Sequence, residues 1–108
     1  MLKKTNRITA AEFKQLGRPV RSLHAPFFSV KIHTLLGARG KFAVVASKKV
    51  SATAPARNRL RRRLYHLLRE YATQAATNVA IVVYLKEVAA QASFQELKDA
   101  FRAVYGAP

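Results

Sequence analysis

The chain has 108 residues, half of them hydrophobic, and 20 Lys and Arg against five Asp and Glu give it a net charge of +15 at pH 7. The apolar half suffices for one core of ordinary size, which excludes a disordered basic tail, and we expect a single domain over residues 1–108. Because so large a positive charge repels itself in a compact domain, we expect a polyanion to neutralise it, and nucleic acid is the leading candidate.

The first predicted element is a short helix that begins near Ala10. Thr9 and Glu12 have the spacing of a capping box, in which a hydroxyl and a carboxylate each accept a hydrogen bond from a backbone N–H group at the helix start. Gly17 and Pro19 are typical of the residues that follow a helix. The helix is therefore expected to end before Gly17.

Two or three strands are predicted next. Pro26 separates a short strand near residues 20–23 from a main strand at 27–35, and residues 37–40 are predicted to form a hairpin loop before a strand at 41–47. In the main strand, Ser29, Lys31 and His33 alternate with Phe28, Val30, Ile32 and Thr34. The alternation predicts a sheet with one buried face.

The helix predicted at residues 55–71 has the clearest periodicity in the chain. Its apolar stripe consists of Leu60, Leu64, Leu67, Leu68 and Tyr71. Pro55 suits the first turn, with Thr53 as a cap. Six arginines fall within residues 57–69 and Glu70 is the only acid, so pairing within the helix cannot neutralise them. An anionic partner is therefore expected from outside.

The polar positions of this helix divide between two flanks of the stripe, at about 100° per residue. One flank holds Asn58, Arg61, Arg62, Tyr65 and Arg69, and the other holds Arg59 and Arg63. A guanidinium can bind two phosphate oxygens or stack on a base, which favours structured RNA as the partner.

The last predicted elements are a strand and a helix. Residues 78–85 form a nearly continuous apolar run, typical of a central strand covered on both faces. Ser93 and Glu96 repeat the capping-box spacing, and the helix after them has its apolar positions at Phe94, Leu97, Phe101 and Val104. The order predicts an α+β fold, an α-β-β-β-α-β-α sandwich in which helices pack on a small mixed sheet.

Two motifs carry a family resemblance. Ser47-Lys48-Lys49-Val50 is followed by Ala56-Arg57-Asn58-Arg59-Leu60-Arg61-Arg62, and together they resemble the signature of the bacterial ribonuclease P protein subunit. Asn6-Arg7, Glu12-Phe13 and the apolar strand at 79–84 are compatible with the same family.

The resemblance implies a protein that binds one catalytic RNA and holds the 5′ leader of precursor tRNA in a cleft beside the sheet. It places Lys48, Lys49, Arg57, Asn58, Arg59, Arg61 and Arg62 on the RNA, and we add Arg63, Tyr65 and Arg69 as candidate contacts. It places Phe13 and either Phe27 or Phe28 in the leader cleft, and we add Lys31 as a candidate contact there. It also implies a left-handed crossover through the basic helix, where the residues alone predict a right-handed one.

Two positions depart from the family pattern. Gly17 stands four residues after Phe13, where relatives often have a second cleft aromatic, and Tyr65 stands three residues after Arg62, where a further Arg is common. Phe13 is equally compatible with packing in the core, and Lys48 and Lys49 with solvated positions at a strand end.

Chemistry by the protein itself is not expected. The chain has no Cys, its five acids are scattered, and His24, His33 and His66 fall in separate predicted elements, where each is expected on the surface or facing RNA. We therefore expect no metal site in the protein, with Mg²⁺ held mainly by phosphates of the RNA subunit that does the chemistry.

The residues leave other classes to weigh. A structural RNA-binding protein, such as a ribosomal component, explains the charge and size equally well. A helix-turn-helix DNA binder needs a second helix beside the basic one, where strands are predicted instead. No apolar run long enough for an export signal or a membrane span follows the basic residues 1–7, so we expect a cytoplasmic protein without a membrane partner.

Overall fold

The computed structural model describes residues 4–72 and 77–106, so the first three residues of the basic head at 1–7 lie outside the described part. The elements run in the order α1 (Ala10–Gln15), β1 (Arg21–His24), β2 (Phe28–Arg39), β3 (Lys41–Val45), α2 (Ala54–Ala72), β4 (Thr77–Leu85) and α3 (Phe94–Tyr105). Short 3₁₀-helices lie at Lys4–Asn6 and Glu87–Gln91. The predicted α-β-β-β-α-β-α order is confirmed.

The sheet has the strand order β1-β2-β4-β3. β2 pairs with β1 and with β4 in antiparallel fashion, and β3 pairs with β4 in parallel. The apolar strand β4 is therefore central, as its sequence predicts. The parallel neighbours β3 and β4 are joined through α2, which forms the expected crossover, and its left-handedness stays a prediction from the resemblance.

The prediction of a hairpin loop at residues 37–40 is wrong. β2 continues to Arg39, and β4 lies between β2 and β3, so the two consecutive strands do not pair. Turn residues show where the chain reverses but not which strand lies alongside. Here β4 has the most apolar sequence, and the central place covers both of its faces.

One face of the sheet packs against α2 and α3. Residues paired directly across strands share a face, and this face carries two rows of such partners: Ile32, Ile81 and Phe42 in one, Val30, Val83 and Val44 in the other. All five residues of the predicted stripe of α2 are buried, as are Leu97 and Phe101 of α3. The Tyr71 ring meets Phe101 edge-on at 4.8 Å between centroids. The stripe thus fixes which side of α2 faces outward.

The three helices begin where the sequence predicts. Thr9 and Glu12 form a complete capping box, and Ser93 and Glu96 form another. The backbone N–H of Thr9 donates to the Glu12 carboxylate and holds the pKa of that carboxyl below its ordinary value, because it stabilises the charged form. α2 begins at Ala54, directly after the predicted cap Thr53.

The other face of the sheet is partly covered, which the alternation in β2 did not predict. α1 lies on it: Leu16, directly after the helix, packs against Leu35 and Ala80, and Glu12 Oε1 of α1 lies 3.2 Å from Lys41 Nζ on β3. His33 is only 6% exposed, and its Nδ1 donates to the carbonyl oxygen of Gly17 at 3.0 Å.

The sequence interpretation of His33 as a surface or RNA-facing side chain is therefore wrong. A polar residue in an alternating strand can be buried when a backbone carbonyl accepts a hydrogen bond from its side chain. Thr34, predicted on the buried face, is exposed, and it is the last residue of β2 before the register with β4 shifts.

Candidate nucleic-acid interface

The outward side of α2 carries most of the predicted RNA-binding residues. Its buried stripe fixes the helix on the core, so the remaining positions point away from it. Asn58, Arg59, Arg62, Arg63 and Arg69 are exposed, and Arg57, Arg61 and Tyr65 are half-buried. No helix in the described part of the chain is both long and apolar enough to cross a membrane.

An open cleft of about 430 Å³ lies along one flank of α2. This arginine cleft is lined by Arg7, Val44, Asn58, Arg61, Arg62 and Tyr65. The Asn58 side-chain oxygen accepts a hydrogen bond from the Arg61 guanidinium, which holds that group at the cleft. The predicted grouping of Asn58 with Arg61, Arg62 and Tyr65 is confirmed, whereas Arg69 lies farther along the helix and is not among the lining residues.

Sequence reasoning did not assign Arg7 to this site. Arg7 reaches it because the N-terminal segment runs beside β3, where Arg7 forms a parallel bridge with Phe42. That contact joins residues far apart in the chain, and no local sequence pattern predicts it. The only signal in the sequence is that Asn6-Arg7 is compatible with the family.

The opposite flank of α2 forms a smaller cleft of about 130 Å³. It is lined by Ser51, Ala56, Arg59, Leu60, Arg63 and Ala90. Arg59 and Arg63 are therefore separated from the arginine cleft, as their helical angle predicts. Neither of these two clefts is lined by an acidic residue, so both present positive charge to an incoming ligand.

Lys48 and Lys49 extend the basic surface beyond the helix. Both are exposed in the turn that follows β3, in which the Val50 N–H donates to the Ser47 carbonyl at 3.0 Å. The turn holds the two lysines side by side before the chain enters α2.

Arg57 has a structural contact that its sequence motif does not reveal. Its guanidinium Nη1 donates to the carbonyl oxygens of Ser51 at 2.8 Å and Ala52 at 3.2 Å. It therefore braces the loop between the lysine turn and α2, so its side chain holds the two parts of the basic surface together.

Replacing Arg57 with Ala should lower the free energy of unfolding by about 1–2 kcal/mol, because charge-assisted hydrogen bonds to two loop carbonyls are lost. Urea denaturation followed by far-UV circular dichroism measures the change. Arg59→Ala is the matched control, since Arg59 is exposed on the same turn, and its effect should stay within about 0.5 kcal/mol. Equal stabilities for the two variants would contradict the bracing role.

The residues predicted for the leader cleft do not all lie on one face of the sheet. Phe13 is 38% exposed on α1, and α1 packs on the sheet face opposite α2. Lys31 is half-buried on that same face, and its Nζ lies 5.3 Å from the centre of the Tyr84 ring. Phe27 is half-buried and packs against the main core.

The prediction of Phe28 as a surface residue of the cleft is wrong. Phe28 is fully buried, with its ring 6.0 Å from that of Phe101 in the main core. It precedes Val30 and Ile32 in the alternation of β2, and all three belong to the face that α2 and α3 cover.

Sequence reasoning missed Tyr84, an aromatic residue on the sheet face opposite α2. It lies in β4, opposite Ser29 of β2 and Val45 of β3, and is half-buried. Its run of apolar neighbours hides the alternation that would have shown its face. The alternation of Ser29 and Lys31 in the paired strand gives that signal once the register is known.

Two acidic side chains of the described residues lie close to lysines, and neither lines a cleft along α2. Glu12 is engaged with Lys41, and Glu70 lies 3.7 Å from Lys98 of α3. Within residues 4–72 and 77–106, no three His, Asp or Glu side chains are grouped so that they could hold a metal ion.

Comparisons with known proteins show the family to which the chain belongs. The profile of the ribonuclease P family matches residues 2–107. The ribonuclease P protein component of Pseudanabaena sp. (strain PCC 6903) is 39% identical over 59 residues, which are 55% of this chain and 51% of that protein. The chain thus matches about half the length of this curated relative.

Two solved structures share the fold. The RNase P protein from Thermotoga maritima superposes with a TM-score of 0.67 at 18% identity, over 95% of this chain and 93% of that one. The Staphylococcus aureus RNase P protein gives a TM-score of 0.69 at 18% identity, over 92% and 91%. Since the family profile covers nearly all residues, the chain belongs to the ribonuclease P protein family.

Proposed function

We propose that this chain is the protein subunit of a ribonuclease P ribonucleoprotein. It binds one catalytic RNA through α2 and assists the endonucleolytic removal of the 5′ leader from precursor tRNA. The observation that carries the proposal is the arginine cleft, an open surface that arginines from α2 and from the N-terminal segment line and whose lining includes no acidic residue. Such a surface suits a folded polyanion.

The chemistry is proposed to reside in the RNA subunit. Mg²⁺ needs oxygen ligands, and RNA phosphates can supply them. The protein contributes positive charge, which lowers the Mg²⁺ concentration needed to fold and hold the RNA. The complex is proposed to be cytoplasmic, with one protein per RNA.

The leader is proposed to lie on the sheet face opposite α2. That face carries Lys31 and Tyr84, with Phe13 on the helix beside it. Aromatic rings that reach the surface stack on unpaired bases, and a lysine beside them can bind a phosphate. This surface includes Tyr84 in place of the buried Phe28.

Stimulation of cleavage at low Mg²⁺ tests the proposal. The chain is mixed with a bacterial ribonuclease P RNA and labelled precursor tRNA, and we expect cleavage at Mg²⁺ concentrations where the RNA alone is inactive. Binding of precursor tRNA with and without its leader is compared in the same complex. We expect the leader to strengthen binding, and Tyr84→Ala to reduce that gain by about 1–3 kcal/mol, the cost of losing one stacked base.

The control and the contrary outcomes separate the two parts of the proposal. Val88→Ala removes an exposed apolar side chain elsewhere and should leave the leader effect intact. Absence of stimulation, together with co-purification of ribosomal RNA, would instead favour a structural component of the ribosome. Stimulation without any effect of Tyr84→Ala would refute only the leader surface.

A further inference from the structure

We propose that Arg7 is a further RNA-binding residue of the arginine cleft and that Tyr65 positions it. The cleft then takes a phosphate of the RNA backbone between Arg7 and the arginines of α2. This inference rests on the proposed function, since it concerns how the same surface holds its RNA.

The backbone of Arg7 is fixed to the sheet. Arg7 pairs with Phe42 of β3 in a parallel bridge, and the next residue, Ile8, donates its N–H to the Phe42 carbonyl at 2.8 Å. Lys41 Nζ lies 3.4 Å from the carbonyl oxygen of Arg7. The start of the Arg7 side chain therefore has a defined place beside α2.

The side chain of Arg7 is fixed to the helix. Its guanidinium carbon lies 4.9 Å from the centre of the Tyr65 ring, within the range of a cation–π contact. Such stacking uses the flat face of the guanidinium, whereas its N–H groups lie in the plane and are the groups that bind phosphate. Tyr65 thus orients a charged group whose chemistry suits an anion.

The contact between Arg7 and Tyr65 adds positive charge to the flank of α2 that lines the arginine cleft. Arg61 and Arg62 stand one turn before Tyr65 on α2, and Tyr65 itself is neutral. Arg7 brings a positive charge from another part of the chain to the position of Tyr65. The flank is therefore continuously basic in space although its sequence is interrupted.

The lining of the cleft identifies the class of ligand. Small-molecule sites are mostly apolar, with a few polar groups, whereas here Val44 is the only aliphatic residue among three arginines, an amide and a tyrosine. Two of the arginines are held in advance, Arg61 by Asn58 and Arg7 by Tyr65. Held guanidinium groups around an open cleft match a phosphodiester, which is charged and extended.

Binding of ribonuclease P RNA by single variants tests the assignment. Arg7→Ala should weaken binding roughly tenfold and lower the slope of log K against log salt by about one, as expected for one phosphate contact. The matched control is Arg102→Ala, which removes the same charge from an exposed position on α3 and should change affinity less than about twofold.

A double-mutant cycle tests the positioning role of Tyr65. Tyr65→Ala should weaken binding about as much as Arg7→Ala, and the double variant should be no weaker than either single one, because both remove the same contact. Tyr65→Phe keeps the ring and should restore the affinity. Circular dichroism melting of each variant shows whether the protein remains folded under the binding conditions.

The outcomes distinguish this inference from the proposed function. If Arg61→Ala weakens binding but Arg7→Ala acts no more than Arg102→Ala, the role of Arg7 is refuted and the proposed function stands. If Arg7→Ala and Tyr65→Ala are fully additive, the positioning role is refuted. If the unaltered chain binds this RNA no better than an unrelated RNA of equal length, both proposals fall.

Discussion

Replacing Arg61 and Arg62 together with Ala is expected to weaken binding to ribonuclease P RNA about 100-fold at low salt. Each arginine that meets a phosphate contributes about 1.5 kcal/mol, and two such losses multiply to this factor. The slope of log K against log salt should fall by about two, since two fewer counterions are released. Filter binding across a range of salt concentrations measures both quantities.

A second double variant that loses the same amount of charge is the control. Arg39 and Arg102 are both exposed, and neither lines a described cleft along α2. Arg39→Ala with Arg102→Ala lowers the net charge by the same amount, so a general electrostatic effect would appear in both double variants. If the two lose affinity equally, the RNA is held by total charge and not by α2.

Replacing Gly40 with Ala is expected to lower the free energy of unfolding by about 2–4 kcal/mol, a large share of the stability of a small domain. Gly40 has φ +60°, and an added Cβ would lie 2.6 Å from the Ala72 carbonyl oxygen and 2.9 Å from Asn6 Nδ2. The positive φ costs an alanine about 1 kcal/mol. The rest comes from moving a backbone oxygen at the end of α2.

Two other glycines separate these causes. Gly37 has φ +81° but open space around it, so Gly37→Ala should cost about 1 kcal/mol from conformation alone. Gly17 has open space and no positive φ, so Gly17→Ala should change stability by less than about 0.5 kcal/mol. Urea denaturation followed by circular dichroism gives all three values. If Gly40→Ala were no worse than Gly37→Ala, the close approach of α2 would be disproved.

The Gly40 contact also matters for the basic surface. Asn6 donates from Nδ2 to the Gly40 carbonyl oxygen at 2.9 Å, so the same corner holds the N-terminal segment that carries Arg7. Gly40 thus allows the end of α2, the start of β3 and the N-terminal segment to meet. Strain at Gly40 should therefore also disturb the position of Arg7 in the arginine cleft.

Local chemistry made the helices predictable. Thr9 with Glu12, and Ser93 with Glu96, satisfy backbone donors within one turn, so neighbouring residues alone fix both helix starts. The apolar stripe of α2 repeats at helical spacing, so the sequence predicts which side of the helix packs on the core. Its two arginine flanks followed from the angle per residue.

Local chemistry did not decide which strands pair. β2 and β3 are consecutive and separated only by Gly40, which suggests a hairpin, yet β4 lies between them. The choice depends on burying the most apolar strand on both faces, which compares segments far apart in the chain. The same reason explains Phe28, whose face is set by packing against Phe101 of α3.

The helices and the positively charged side of α2 follow from the order of residues alone, because each depends on residues within a few turns of one another. Tertiary packing completed the candidate site. It brought Arg7 onto Tyr65, placed Tyr84 beside Lys31 and turned Arg57 toward its own loop. These contacts arise when separate elements dock on one core, and no pattern within a single element contains them.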